Sequence, residues 1–166
     1  MSQYINLIGK KARKASLKKI NSKIKNNVLK RYALLLDKEK NSILKANAKD
    51  VNFALEKGLK KNLINRLIIN QKKLNYMSLS INNIAKLKDP VDKTIEKWSR
   101  SNGLKIKRVS IPIGVIGVIY ESRPNVTADV ASLCFKSGNA VILKGGSEAI
   151  CTNKILAKLF RRALKE

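Results

Sequence analysis

The 166-residue chain carries 36 basic and 11 acidic residues, for a formal charge of +25, and contains two cysteines and no histidine. A domain of this length buries roughly 70% of its unfolded surface, so it can hold a real core. The missing histidine excludes Ser-His and Cys-His nucleophiles, and two cysteines without paired spacing exclude a zinc site, so no metal is expected.

The charge is regional. Residues 1 to 110 hold 28 basic against 7 acidic side chains, residues 111 to 143 hold two of each, and residues 144 to 166 hold six against two. Such an excess suits RNA or another polyanion, and a basic helical polyanion-binding module is the alternative reading of the chain. Two features argue against a nucleic-acid partner. Lysine outnumbers arginine 28 to 8, although bidentate phosphate recognition favours arginine. The lysines are also scattered among Ile and Asn over several helical segments, which is the pattern of a solvated surface.

In chain order, residues 3 to 20 read as a basic amphipathic helix with Tyr4, Ile8, Ala12 and Ala15 on one stripe. A second helix opens near Asn21 or Ser22 and carries Ile24, Val28, Leu29, Leu35 and Leu36 before Asp37 to Lys40 interrupts it. Ile43, Leu44 and Ala48 continue a helical pattern, Asp50 is expected to cap a short helix ended by Gly58, and Leu63 to Ile68 forms another short one. Asn70 is expected to cap a helix through Leu74, Met77, Ile81 and Ala85, which Asp89-Pro90 stops.

After Pro90 the pattern changes. Thr94 to Ser99 and Leu104 to Val109 read as a partly exposed hairpin around Ser101-Asn102-Gly103. Gly114 to Tyr120 is a continuous Val/Ile/Gly run, expected to be a strand buried on both faces of a parallel sheet. Pro124 to Lys136 follows as a helix with Val126, Val130, Leu133 and Cys134 inward, then Ala140 to Leu143 as a second strand and Ser147 to Lys165 as a second helix. The fold class is therefore α/β, a helical N-terminal region followed by the first βαβα of a doubly wound parallel sheet. The longest apolar run is broken by Pro112, Gly114 and Gly117 and falls far short of the ~20 residues of a membrane span, and no signal peptide is evident; a cytoplasmic protein without a membrane partner is expected.

In such sheets ligands bind beyond the carboxyl ends of the strands, where this chain places ESRPN and KGGSE. Lys144 stands where a positive group would suit NADP rather than NAD. Gly145 and Gly146 would let backbone approach a ligand, and Ser147 would sit at a helix N-terminus, which favours an anion. The same residues also make sense as a tight turn, an N-cap and a solvated lysine. Asn125 is either a helix cap or an amide donor to an oxygen that becomes negative as a carbonyl is attacked. Arg123 is either an ion-pair partner of Glu121 or a fork for a carboxylate or phosphate of the substrate.

The run PIGVIGVIYESRPNVTADVASLCFKSGNAVILKGGSEA strongly resembles the gamma-glutamyl phosphate reductases, or glutamate-5-semialdehyde dehydrogenases, of the aldehyde dehydrogenase superfamily. KNNVLKRYALLL, ILKANAKDV, the KGL before NLINRL, and LKDPV extend the resemblance over essentially the whole chain. It implies an aldehyde dehydrogenase-like fold and NADPH-dependent reduction of glutamyl 5-phosphate to glutamate 5-semialdehyde and phosphate, in proline synthesis. It also implies that Asn125 helps hold the oxyanion, Lys144 contacts the adenosine ribose, and Ser147 replaces an acidic residue common in NAD-preferring relatives. The expected organisation is residues 1–90 as the helical part of the cofactor-binding domain, 94–112 as a strand arm for homo-oligomerisation, and 113–166 as the first half of the NADPH-binding sheet. Members of the family are more than twice as long, with the nucleophilic cysteine in a catalytic domain beyond residue 166. Cys134 and Cys151 lack that cysteine's context and are expected to be ordinary residues, leaving the chain inactive alone.

Overall fold

The computed structural model describes residues 2–165. Seven helices, a hairpin and a two-stranded parallel sheet follow one another: α1 (Ser2–Ser16), α2 (Ser22–Lys38), α3 (Lys40–Glu56), α4 (Lys61–Leu67), α5 (Gln71–Lys86), β1 (Thr94–Ser99), β2 (Lys105–Val109), β3 (Val115–Tyr120), α6 (Asn125–Lys136), β4 (Ala140–Gly145) and α7 (Ile150–Lys165), the last preceded by a 3-10 turn at Ser147–Ala149. No helix among the described residues is long and apolar enough to cross a membrane.

Local chemistry accounts for most of the boundaries. Asn21 and Asn70 cap α2 and α5 by accepting the amides of Ile24 and Lys73, each at 2.9 Å. α1 stops at Ser16, four residues before the expected end. The interruption after Asp37 shrinks to Glu39, which ends α2 and opens α3.

α2, α5, α6 and α7 form the core around Leu29, Leu36, Leu74, Ile81, Ala128 and Leu156. Tyr32 is fully buried there, packed edge-on against Phe160 with ring centroids 5.0 Å apart. Its hydroxyl donates to the Leu156 carbonyl at 3.2 Å, and burial pushes its phenol far above the ordinary range. Lys25 and Lys136 are buried as well. The Lys25 ammonium contacts both Asp89 carboxylate oxygens at 3.0 and 3.1 Å, while Lys136 donates to Asn26 Oδ1 and, at 3.0 Å, to the Ala85 carbonyl. Buried charges require such partners, so this cluster fixes α2, the end of α5 and the end of α6 together.

Asp50 departs from the expected cap of a short helix. α3 runs through it without a break, and its carboxylate caps α7 instead, accepting Cys151 N–H at 3.0 Å, Thr152 N–H at 2.7 Å and the Thr152 hydroxyl at 2.6 Å. Asn47, one turn earlier, receives the Ile69 amide at 2.7 Å and donates to the Leu67 carbonyl and to Thr152 Oγ1. Asp50→Ala removes a cap and leaves buried donors unpaired, so urea unfolding of the chain should show a loss of about 2 kcal/mol. A change under about 0.5 kcal/mol would mean that this cap does not secure α7.

β1 and β2 pair antiparallel, with Lys97 opposite Lys107 and Trp98 opposite Ile106. β3 and β4 pair parallel, from Val115 beside Ala140 to Tyr120 beside Gly145. Burial of this sheet on both faces is incomplete: Ile119 is 79% exposed and the preceding residues Ile111 and Ile113 are also open, and no residue of β3 or β4 is fully buried, because in a two-stranded sheet each strand is an edge. α6 is also turned from the expected face. Thr127, Ala128, Ala131, Ser132 and Cys134 are buried, Val126 and Val130 are intermediate and Leu133 is exposed, since small residues allow close approach to α5 and α7.

Candidate functional site

The parallel register places Tyr120 beside Gly145, so the segments after β3 and β4 emerge side by side at one end of the sheet. ESRPN forms the turn from β3 into α6, and GGSE the turn from β4 into α7.

Asn125 is the first residue of α6, and Pro124, buried, holds the N-cap position. The cap reading of Asn125 is therefore replaced: its Nδ2 donates to Asp129 Oδ2 at 3.2 Å, one helical turn on. Burial pushes the Asp129 carboxyl up, partly offset by hydrogen bonds from Asn125 and Ser80. Asn125 and Asp129 line a groove of about 290 Å³ between α6 and the α4–α5 region, with Arg66, Lys73, Tyr76 and Ser80 on its wall. Lys73 is anchored there by the Ile68 carbonyl at 2.5 Å. Arg123 is exposed and makes no ion pair with Glu121, so it does not serve as that residue's partner.

Lys144 is exposed near the end of β4, opposite Ile119 in the register. Ser147 is also exposed, and it opens the 3-10 turn, whose N-cap is Gly146; no side chain caps it. Ser147 is thus not the N-cap of the following helix, whose first amides are held by Asp50.

The two glycines are marked by close approach of side-chain ends rather than by an unusual φ. A Cβ on Gly145 would lie 2.3 Å from Asn153 Nδ2, and one on Gly146 would lie 2.1 Å from a Glu148 carboxylate oxygen. Asn153 belongs to a chain of contacts linking both turns: Tyr120 Oη meets Thr127 Oγ1 at 2.5 Å, and Thr127 donates to Asn153 Oδ1 at 2.9 Å. Glu148 makes a second link, since its Oε1 accepts Ser122 N–H at 2.6 Å and the Ser122 hydroxyl at 3.0 Å. Burial pushes the Glu148 carboxyl up, but hydrogen bonds from its own amide and from Ser122 outweigh this and hold it below the usual range. Ser122 is buried with φ at +40°.

Glu148, Ser122 and Asp129 escape a reading of residue types. Only the strand register brings Ser122 to Glu148, and only the helical spacing of 125 and 129 hints at Asp129.

Neither cysteine has the environment of a nucleophile. Burial pushes the Cys134 thiol up, and burial and then Asp50 push the Cys151 thiol up, whereas reactive cysteines are lowered by positive neighbours.

No family model matches the chain. A gamma-glutamyl phosphate reductase of Hydrogenobaculum sp. is 49% identical over the whole chain, which spans 38% of that relative's length. One from Persephonella marina is 45% identical over 98% of the chain and 37% of its own length. The crystal structure of gamma-glutamyl phosphate reductase from Thermotoga maritima superimposes with a TM-score of 0.90 at 44% identity, covering 94% of this chain and 38% of that one. The chain is similar along its whole length to gamma-glutamyl phosphate reductases. It corresponds to the N-terminal part of those relatives and spans less than two fifths of their length. The Saccharomyces cerevisiae reductase structure, at 37% identity, gives a TM-score of 0.91 over 96% of this chain and 41% of that one. A probable aldehyde dehydrogenase from Listeria monocytogenes, at 17% identity, shares the fold with a TM-score of 0.68. The aldehyde dehydrogenase-like fold that the resemblance implies is therefore the fold of this chain.

Proposed function

We propose that the chain supplies the cofactor corner and the oxyanion donor of an NADPH-dependent reductase that converts L-glutamyl 5-phosphate to L-glutamate 5-semialdehyde and phosphate. The observation that carries this is the β3–β4 register, which sets ESRPN and KGGSE side by side in a chain matching gamma-glutamyl phosphate reductases throughout.

The residues present fit an anionic dinucleotide. Lys144 and Ser147 are exposed at the end of β4, and the nearby acidic side chain, Glu148, has its Oε1 bonded to Ser122. Lys144 would hold the adenosine ribose and its 2′-phosphate, with Gly145, Gly146 and Ser147 shaping the turn below it. Bound there, NADPH supplies the hydride.

Asn125 would donate its free amide proton to the substrate's carbonyl oxygen as negative charge develops on it. The groove beside it suits the glutamyl end, because its wall carries the Asp129 carboxylate for an α-amino group and Arg66 for an α-carboxylate. Arg123, exposed beside the same turn, is left available for the phosphate. The nucleophilic thiolate comes from neither Cys134 nor Cys151, so residues 1–166 alone are inactive in this reading. The β1–β2 hairpin serves assembly into a homo-oligomer, and the setting is cytoplasmic.

The polyanion reading makes the opposite binding prediction. The chain should bind NADPH more tightly than NADH, while a 20-nucleotide RNA should bind weakly and lose affinity steeply between 50 and 200 mM salt. Tight RNA binding without a preference for NADPH would overturn the reductase reading.

A further inference from the structure

Ser122 stands at the hinge of the turn that presents Asn125, and its backbone is held where a residue with a Cβ is uncommon. Its φ of +40° is strained for any residue but glycine unless its surroundings enforce it. The enforcing group comes from the other turn: Glu148 Oε1 takes both the Ser122 amide and the Ser122 hydroxyl. Gly146 makes this possible, because any Cβ there would occupy the carboxylate's place.

Resting on the reductase reading, we propose that Glu148 is a positioning residue: its carboxylate locks Ser122 and so aims Asn125, and by doing so keeps its own charge away from the cofactor's phosphate. One contact thereby serves both turns. When it is made, the amide donor three residues after Ser122 has a fixed origin, and the acidic side chain next to Ser147 is bonded to donors rather than facing an anion. When it is broken, the turn relaxes from its left-handed conformation and Asn125 loses its aim.

Gly145 and the Tyr120–Thr127–Asn153 contacts tie the same two turns at a second point. Loss of Glu148 should therefore blur the geometry without unfolding the sheet.

The test uses two proteins. In the purified 166-residue chain, amide hydrogen exchange at Ser122 should accelerate at least tenfold in Glu148→Ala, while Glu148→Gln, whose amide oxygen still accepts both bonds, should keep most of the protection. In a chimera in which this chain replaces the matching segment of the Hydrogenobaculum reductase, Glu148→Ala should lower kcat at least tenfold with the KM for NADPH changed less than threefold. Glu148→Gln should recover most of that loss, and adding Ser122→Gly to Glu148→Ala should recover part of it, because glycine adopts the positive φ unaided.

Unchanged exchange at Ser122 in Glu148→Ala would overturn the lock itself. Faster exchange with kcat unaltered, or an equal kcat loss in the Ala and Gln variants, would overturn its role in aiming Asn125. An unmutated chimera that folds but has no reductase activity would instead remove the reading on which the proposal rests, while the exchange result would still stand or fall separately.

Discussion

Asn125→Ala in the chimera should lower kcat by about a hundredfold and leave the KM for both substrates within about threefold. An amide aimed at a developing oxyanion acts chiefly in the transition state, where one such donor is worth roughly 3 kcal/mol. The structure sharpens this expectation because the Asn125 amide is fixed by Asp129 at 3.2 Å and begins α6 behind a buried proline. Little orientational freedom remains to be frozen on binding substrate. If Asn125 only stabilised the start of α6, its replacement would lower the melting temperature and leave kcat nearly intact. Steady-state kinetics together with thermal melting separate the two roles.

Lys144→Glu should weaken NADPH by about 30-fold and NADH by less than about fivefold. The substitution moves the local charge by two units next to a group that only NADPH carries. At a few ångströms in a solvated corner each charge pair is worth roughly 1 kcal/mol, so a loss of about 2 kcal/mol in NADPH binding is expected after screening by salt. A carboxylate could still accept hydrogen bonds from the free ribose hydroxyls of NADH. Dissociation constants for both cofactors measure the effect, which should shrink as salt rises. Equal weakening of the two would remove Lys144 from the cofactor site.

How much of the fold is legible in the amino-acid sequence depends on how local its causes are. Asn21 and Asn70 act on amides three residues away, so residue type and helical period are enough to locate α2 and α5. The hairpin and the β3-α6-β4-α7 order follow from periodicity and turn residues in the same way. Asp50 misleads because a capping residue looks the same whether it serves its own helix or another, and its donors lie on α7, about a hundred positions later. Periodicity assigns the inward face of α6 to its largest apolar residues, whereas tight packing selects Ala128, Ala131 and Ser132 and leaves Leu133 outside.

The candidate site divides along the same line. Lys144 and Asn125 can be singled out from their positions at strand ends, because doubly wound sheets bind ligands there. The glycines point to close approach, but the group that approaches Gly146 is the Glu148 side chain. No residue-by-residue pattern carries the Glu148–Ser122 contact, which spans 26 positions and exists only because β3 and β4 pair in parallel.

In the proposed reading, the turns after β3 and β4 of this chain form two parts of one reductase site. The most direct measurement is turnover by the chimera with glutamate 5-semialdehyde, phosphate and NADP, followed as NADPH formation. Phosphate-dependent turnover that falls about a hundredfold in Asn125→Ala is the predicted result. A chimera that melts cooperatively and binds NADPH, yet forms no NADPH above a blank, would contradict it.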